Sequence, residues 1–322
     1  MTVHAHLFDA DVPDQDYTSL SDVPAQLTDR QLLWIHLDAP GPDELAPAAA
    51  LLQVGADTLR QLTQGTRRPV LLQHGAYTHV QVLVAELAPT EVVGRRLHLI
   101  AGQNRVLTVS EKEVPFLHAF SQALRSDSRL GQLDSAVFLA ALLGRHVESY
   151  LGQLDPLEEA VDRLDTRMLT EKVGPPLLTE LARLRRQVGE LCRMMTAHRG
   201  VYAALGRPDF VTFVGDEPEL HLRALVAEFE HTVDSLESAR GLVLGAFELY
   251  TARLTLHTNQ VMSTLTVATV ALGVLAAVAG FLGTNFEASV FRAGDAGFFA
   301  ALVGAMVLVV ALVAFARRRG WF

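Results

Sequence analysis

A stripe of small and polar residues runs through an apolar stretch near the end of the sequence. Its members recur at spacings of three and four: Asn259, Met262, Thr266, Thr269, Gly273, Ala276, Gly280 and Gly283. One interpretation is close helix packing, because small residues let helix backbones approach each other in membranes. The other is a narrow lumen lined by amide, thioether, hydroxyl and backbone groups. The stripe by itself favours neither.

The two apolar stretches near the end of the sequence contain no ionisable side chain and no cysteine, and this limits their chemistry. Neither residues 261–282 nor residues 297–316 contain Asp, Glu, Lys, Arg, His or Cys. There is therefore no carboxylate relay for protons and no soft ligand that would strip and hold a metal. An ion passing here would keep much of its water, which suits Mg²⁺ and does not exclude hydrated Zn²⁺, Co²⁺ or Ni²⁺. Met262 and Leu265 are predicted to form an apolar gate that stops ions by dewetting.

Both apolar stretches are long enough to cross a membrane. A helix rises about 1.5 Å per residue, so roughly 20 residues span a hydrocarbon core of about 30 Å. Arg253 precedes the first predicted span (261–283), and Arg317 to Arg319 follow the second (297–316). Because positive charge marks the cytoplasmic side, both chain ends and the basic tail (317–322) are predicted to be cytoplasmic, and the short loop 284–296 external.

Composition excludes several other classes of protein. The first residues, MTVHAHLFDADVPDQD, have neither a basic start nor an apolar segment, so no signal peptide is expected. The single cysteine, Cys192, excludes an intramolecular disulfide and fits a reducing cytoplasm. A formal net charge of −9 argues against nucleic acid as the partner and is compatible with cations.

The preceding sequence divides into two regions. Residues 1–130 alternate strand patterns such as YTHVQVLVAEL (77–87) with helical ones, which predicts an α+β domain with a mixed sheet and helices. This domain contains no phosphate-loop glycines, no Ser/His/Asp order and no metal-finger spacing, so we predict no enzyme. Residues 131–206 are helical, amphipathic and interrupted at Gly174, which predicts a helical hairpin with an acidic first arm and a more basic second arm.

A long helix connects the cytoplasmic region to the first span. Asp216 is a suitable cap and Pro218 suits a first turn, and no proline follows. Apolar residues then recur in a heptad-like seam, at 222, 226, 229, 233, 236, 243, 247, 250 and 254, and the same phase continues through 257, 261, 264 and 268. The pattern predicts a stalk over 210–260 that continues directly into the span. Because two spans cannot enclose a pore, we expect an oligomer.

These residues together resemble the CorA superfamily of divalent-cation transporters. The similarity is close over residues 216–286, with a tyrosine near the wet end of the long helix and a span ending in Gly-x-Asn, and the second span and basic C-terminus that follow also agree. WIHLD (34–38), RMMTAHRGVYAAL (193–205) and the final RRRGWF resemble its zinc branch, ZntB. The resemblance implies a funnel-shaped homopentamer in the bacterial inner membrane, bound by lipid, with a pore lined by the first span. It also implies a transported divalent cation and no permanent cofactor.

The resemblance assigns an ion filter to Gly283, Thr284 and Asn285. In the family the motif is usually Gly-Met-Asn, and the asparagine ring binds a hydrated cation at the outer mouth. Gly283 tolerates a left-handed conformation and so lets the chain leave the helix, and Glu287 adds negative potential. Thr284 stands in place of methionine, the family's Met-Pro-Glu loop motif and its mid-span proline are absent, and these departures put magnesium selectivity in doubt.

Two groups of residues are candidates for regulatory metal sites in the cytoplasm. His4 and His6 share one face of a predicted strand, and Glu228, His231 and Asp234 share one helix face. Ordinary solvated polar surface is the alternative for both. The alternative for the whole protein is a membrane-anchored sensor or scaffold that transports nothing, although a simple anchor has no need of the stripe or of Gly283 to Asn285.

Overall fold

The computed structural model describes residues 3–24, 26–124, 134–171, 174–207, 216–283 and 294–319. Seven strands form one sheet: β1 (Val3–Asp9), β2 (Gln15–Tyr17), β3 (Gln31–Asp38), β4 (Val70–His74), β5 (Tyr77–Leu87), β6 (Val92–Gly102) and β7 (Arg105–Ser110). Their order is β2-β1-β3-β7-β6-β5-β4. The β3–β7 pair is parallel, whereas the other five pairs are antiparallel, so the predicted mixed sheet is confirmed.

Helices cover both faces of this sheet. The helices are α1 (Pro42–Leu51), α2 (Ala56–Gln64), α3 (Pro115–Leu124), α4 (Ser135–Thr170), α5 (Pro175–Ala197), α6 (Arg199–Leu205), α7 (Asp216–Leu282) and α8 (Gly294–Arg318). One face packs against α1 and α2 through a core that includes Leu33, Ile35 and Ile100. On the other face the Trp34 ring lies 5.8 Å from Phe120 of α3 and 5.5 Å from Phe138 of α4. The alternating apolar residues of the central strands thus supply both layers.

The chain forms two compact units. The first contains residues 1–167 and 175–246, and the second contains residues 168–174 and 247–322. The α4–α5 hairpin that the sequence predicts is present, and Arg167 on its first arm forms a 2.7 Å ion pair with Glu180 on its second arm. The 67-residue helix α7 confirms the prediction of one continuous helix, and both units contain part of it.

Two helices are long and apolar enough to cross a membrane. Within α7 and α8, only 6% of the most hydropathic window is buried by the rest of the chain. Asp295 lies in the first turn of α8, and Arg317 and Arg318 lie in its last turn, where each sign of charge complements the helix dipole. The Arg319 guanidinium lies 5.4 Å from the centre of the Phe315 ring.

Candidate ion-conducting helix

In the first unit, α7 buries a regular seam of side chains. The buried positions repeat at alternating spacings of three and four: Leu222, Leu225, Phe229, Thr232, Leu236, Ala239, Val243 and Ala246. The Phe229 ring stacks on Tyr202 of α6 at 4.3 Å and 11°. The predicted seam is confirmed at Leu222, Phe229, Val233, Leu236, Val243 and Tyr250, whereas Leu225 is buried in place of the predicted position 226. Thr232, Ala239 and Ala246 were missed because a search for large apolar residues passes over small ones.

The seam does not continue into the span as predicted. Tyr250 is its last buried member, and Leu254 is 42% exposed. Positions 257, 261, 264 and 268 are also exposed. Beyond Tyr250 the shielded positions shift in phase to Ser263, Val267, Ala271, Val274 and Val278, of which only Val267 is fully buried. The sequence could not detect this shift, since almost every residue of the span is apolar.

The stripe lies away from these shielded positions. A helix turns by about 100° per residue, so Thr266, Thr269, Gly273 and Gly280 lie roughly 100–160° around α7 from Val267. Every member of the stripe is exposed in the single chain, and Leu265, the second gate residue, is 63% exposed. The chain therefore leaves the whole stripe open to another molecule, to lipid or to water.

The threonines of this helix donate their hydroxyl protons to backbone carbonyls of the same helix. The Thr266 hydroxyl donates to the Met262 carbonyl at 2.8 Å, and the Thr269 hydroxyl donates to the Leu265 carbonyl at 2.8 Å. Thr264, on another side of the helix, donates in the same way to Gln260 at 2.9 Å. Because each proton is used within the helix, the lone pairs of each hydroxyl oxygen remain to accept a hydrogen bond.

Only the first residue of the predicted filter lies among the described residues. Gly283 follows the last residue of α7, and its N–H donates to the Ala279 carbonyl at 3.0 Å. Gly283 does not use the left-handed conformation that a glycine tolerates, because Gly294 is the only described glycine with a positive φ. A Cβ at Gly283 would meet the Ala279 carbonyl oxygen at 3.4 Å, an ordinary contact. Thr284, Asn285 and Glu287 lie outside the described residues.

The two candidate regulatory sites do not form metal clusters in the single chain. Where the chain is described, no group of three or more His, Cys, Asp or Glu is arranged to hold a metal ion. His6 uses both ring nitrogens, one with the Asp16 carboxylate and the other with the Ser121 hydroxyl at 3.0 Å, and the His4 ring stacks on it at 6.4 Å. His6 therefore has no free lone pair for a metal.

Glu228, His231 and Asp234 differ in how far each side chain is exposed to solvent. Glu228 is half-buried, and burial together with the nearby Glu148 carboxylate raises its pKa. His231 and Asp234 are exposed on α7. A site formed by these three residues stays a prediction that would require a second chain or a rearrangement.

A buried polar network that the sequence did not reveal connects the sheet to its helices. Strand β5 extends beyond the last residue that β4 pairs, Gln81. The Leu83 N–H donates to His198 Nε2 at 2.8 Å, and the Leu83 carbonyl accepts from His146 Nε2 at 2.9 Å and from the Tyr150 hydroxyl at 2.7 Å. Side chains thus replace the missing strand as hydrogen-bond partners. The sequence signal was His146 and Tyr150 one turn apart on an apolar helix face.

Burial keeps the histidines of this region neutral. It lowers the pKa of His146 to about 4 and also lowers the pKa of His198. A second buried pair, His79 and His98 on β5 and β6, has ring nitrogens 3.1 Å apart. Burial is the largest cause that lowers the pKa of His79 to about 4 and of His98 to about 3. All four are therefore uncharged at neutral pH.

An α/β domain followed by one very long helix and a second apolar helix defines a class of two-span membrane proteins. The complete structure of the CorA magnesium transporter from Methanocaldococcus jannaschii has this fold. It matches with a TM-score of 0.81 at 16% identity, over 100% of this chain and 99% of that one. The sequence profile of the CorA-like Mg²⁺ transporter protein family matches residues 29–319. The chain belongs to this family, which confirms the resemblance.

Two further similarities concern the choice of ion. The cobalt/magnesium transport protein CorA of Thermotoga maritima is 24% identical over 235 residues, which is 72% of this chain and 66% of that protein, just under two thirds of its length. The ZntB cytoplasmic domain from Vibrio parahaemolyticus matches with a TM-score of 0.54 at 14% identity, over 79% of this chain and 99% of that one. The latter shows a shared fold only, so membership of the zinc branch stays a prediction.

Proposed function

We propose that the chain is one subunit of a divalent-cation transporter of the inner membrane. Copies of α7, five by the family resemblance, surround a pore and turn the stripe towards its axis. The observation that carries this proposal is the exposure of every stripe residue from Asn259 to Gly280 in the single chain. A helix that only anchored the protein would have no reason to keep hydroxyls and glycines together on one face.

The chemistry of the stripe suits an ion that keeps its water. The hydroxyl oxygens of Thr266 and Thr269 accept hydrogen bonds from the first hydration shell, whose waters the ion polarises. With no carboxylate, imidazole or thiolate in the spans, nothing competes with that shell or binds the ion tightly enough to stop it. Met262 and Leu265 would form the apolar gate next to Asn259. Asn285 and Glu287, by the family resemblance, would form the outer mouth.

The proposed cargo is a hydrated divalent ion. The names of the relatives favour Mg²⁺ and Co²⁺, whereas the ZntB-like stretches at 34–38 and 193–205 favour Zn²⁺. Ni²⁺ has the same charge and also keeps a firmly held water shell. The ion would pass through the protein as cargo, and we propose no permanently bound cofactor.

The decisive experiment is metal uptake into proteoliposomes with a fluorescent indicator inside, using Mg²⁺, Co²⁺, Ni²⁺ and Zn²⁺ in turn and two pH gradients. Uptake of at least one ion above empty liposomes supports transport. The absence of uptake of all four by a correctly assembled oligomer would favour the sensor or scaffold. Native mass measurement in mild detergent tests the pentamer, and a monodisperse monomer or dimer would contradict it.

A matched pair of threonine variants tests the face of α7 that conducts. Thr266→Val combined with Thr269→Val removes two stripe oxygens at nearly constant volume and should lower uptake several-fold. Thr264→Val removes an oxygen with the same intrahelical hydrogen bond from another side of the helix and should leave uptake unchanged. Equal effects of both variants would show that the stripe does not line the pore.

A further inference from the structure

Arg253 binds the C-terminal end of α4 instead of remaining a free charge beside the membrane. Its Nε donates to the Met168 carbonyl at 3.0 Å, and its Nη2 donates to the Leu169 carbonyl at 2.6 Å. Both carbonyls are among the last four of α4, and the last four carbonyls of a helix accept no hydrogen bond from an N–H of the same helix. One planar guanidinium therefore caps two successive carbonyls, a geometry that a lysine ammonium reproduces poorly.

A second contact attaches the same region one turn earlier. The Tyr250 hydroxyl donates to the Gly174 carbonyl at 3.5 Å. Met168 and Tyr250 are both buried. The end of the α4–α5 hairpin, residues 168–174, which we call the hairpin tip, belongs to the same compact unit as residues 247–322. It is thus attached at two points to a single turn of α7.

This attachment lies immediately before the stripe. Asn259 follows Arg253 by six residues and Met262 by nine, which is about 9 Å and 14 Å along the helix. Two hydrogen bonds from a rigid fork fix the rotation of α7 about its own axis at residue 253. Since each residue advances the helix by about 100°, that rotation decides which side chains of the following turns face the pore.

We propose that Arg253 is a positioning residue for ion transport: by clamping the hairpin tip it holds α7 in the rotation that turns the stripe towards the pore. The inference rests on the proposed function, in which the stripe conducts. Tyr250 is the weaker partner in the clamp, because its single hydrogen bond is long. The positive charge of Arg253 strengthens the two hydrogen bonds that its guanidinium donates to the carbonyls at the end of α4.

The clamp can be tested without any flux measurement. The chain contains two lysines, Lys112 and Lys172, and Lys172 lies within the hairpin tip. In the full-length protein in nanodiscs, an endoproteinase that cleaves after lysine reports on both. Arg253→Gln should accelerate cleavage at Lys172 by about tenfold, the factor expected when a hydrogen bond to a charged group is lost, and leave cleavage at Lys112 unchanged. Arg240→Gln removes the same charge from the same helix and should change neither rate. Unchanged cleavage at Lys172 in Arg253→Gln would overturn the clamp.

The role in transport is tested by the flux of the same variants. Arg253→Gln should lower the maximal uptake rate several-fold and leave the half-saturating metal concentration unchanged, because the ion-binding mouth is at the other end of the span. Arg253→Lys should recover part of the rate, and Tyr250→Phe should lose less than Arg253→Gln. An unchanged rate in an Arg253→Gln protein whose hairpin tip is released would overturn the positioning role. A wild-type protein without uptake would instead contradict the proposed function, and the protease experiment would still test the clamp.

Discussion

The two halves of α7 differ in whether the chain buries the helix face on which residues recur at spacings of three and four. From Leu222 to Ala246 the helix buries a seam of alternating threes and fours inside its own chain. From Asn259 to Gly280 a stripe with the same spacings is exposed. The same helical periodicity thus has two outcomes: the first half buries its face within the subunit, and the second leaves its face exposed, where the proposed function places other subunits and the ion. The difference shows that residue spacing in the sequence identifies a helix face, whereas burial in the structure shows whether the chain itself covers that face.

The most severe test of this comparison is at the end of the open half. Asn285→Ala should reduce uptake by about tenfold or more, because the proposed pentamer would lose the five amide carbonyls that accept from the hydrated ion at its mouth. Uptake is measured in proteoliposomes, and native mass shows whether the oligomer is intact. Normal transport by a correctly assembled Asn285→Ala oligomer would reduce Gly283 to Asn285 to a helix terminus.

The same substitution made in each half should have very different consequences for stability. Leu236 is 1% exposed and Leu272 is 67% exposed. Leu236→Ala should cost about 2–5 kcal/mol of unfolding free energy, because it leaves a cavity in the seam. Leu272→Ala should change stability by less than about 0.5 kcal/mol, as expected for an exposed position. Thermal unfolding in detergent, followed by tryptophan fluorescence, compares them. Similar losses in both variants would break the distinction.

The buried histidines predict that the first unit loses stability in acid. Their folded pKa values lie below the unfolded value of about 6.5, so the unfolded chain binds more protons and stability falls as the pH drops from about 6.5 towards 4. At pH 5, about 1.5 units below 6.5, each such histidine should cost about 2 kcal/mol. Melting temperatures at several pH values measure this.

Variants assign that pH dependence. His146→Gln should flatten the decrease, since one of the groups is gone. His257→Gln alters an exposed histidine of α7 and should retain the wild-type profile. A decrease of the same slope in His146→Gln would show that the acid sensitivity arises elsewhere.

The proposed gate gives a smaller effect in the open half. Met262→Ala or Leu265→Ser should raise uptake several-fold without greatly changing ion preference, because a wider or more polar constriction stays wet. Uptake rates for two ions, measured side by side, separate a rate effect from a selectivity effect. If both variants transport like the wild type, the constriction lies elsewhere in the pore.

The smallest expected effect is that of the loop charge. Glu287→Gln should weaken uptake mainly at low ionic strength, since an exposed charge is screened within about 8 Å at physiological salt. Uptake measured at two salt concentrations tests this. A loss that is equal at both concentrations would assign Glu287 a direct contact with the ion.

The sequence by itself determined the elements and their order. Apolar periodicity located the central strands, the hairpin turn near Gly174 and the single long helix, because these patterns are local and repeat over many residues. The short strand β2 and the small members of the seam were missed, since Thr232 and Ala239 carry too little apolar surface to stand out. The stripe was also visible as a pattern in the sequence. The sequence did not show which side of α7 the rest of the chain covers.

Only the tertiary structure decided which groups find partners. The histidines that bind Leu83 come from α4 and from the segment before α6, more than 60 residues away along the chain. The same is true of Arg253, which the sequence marks only as a positive charge before the first span and which caps a helix that ends 83 residues earlier. Residue types and spacings are local properties of a chain. Hydrogen-bond partners and burial arise only when distant segments meet, and for that reason they could not be predicted from this sequence.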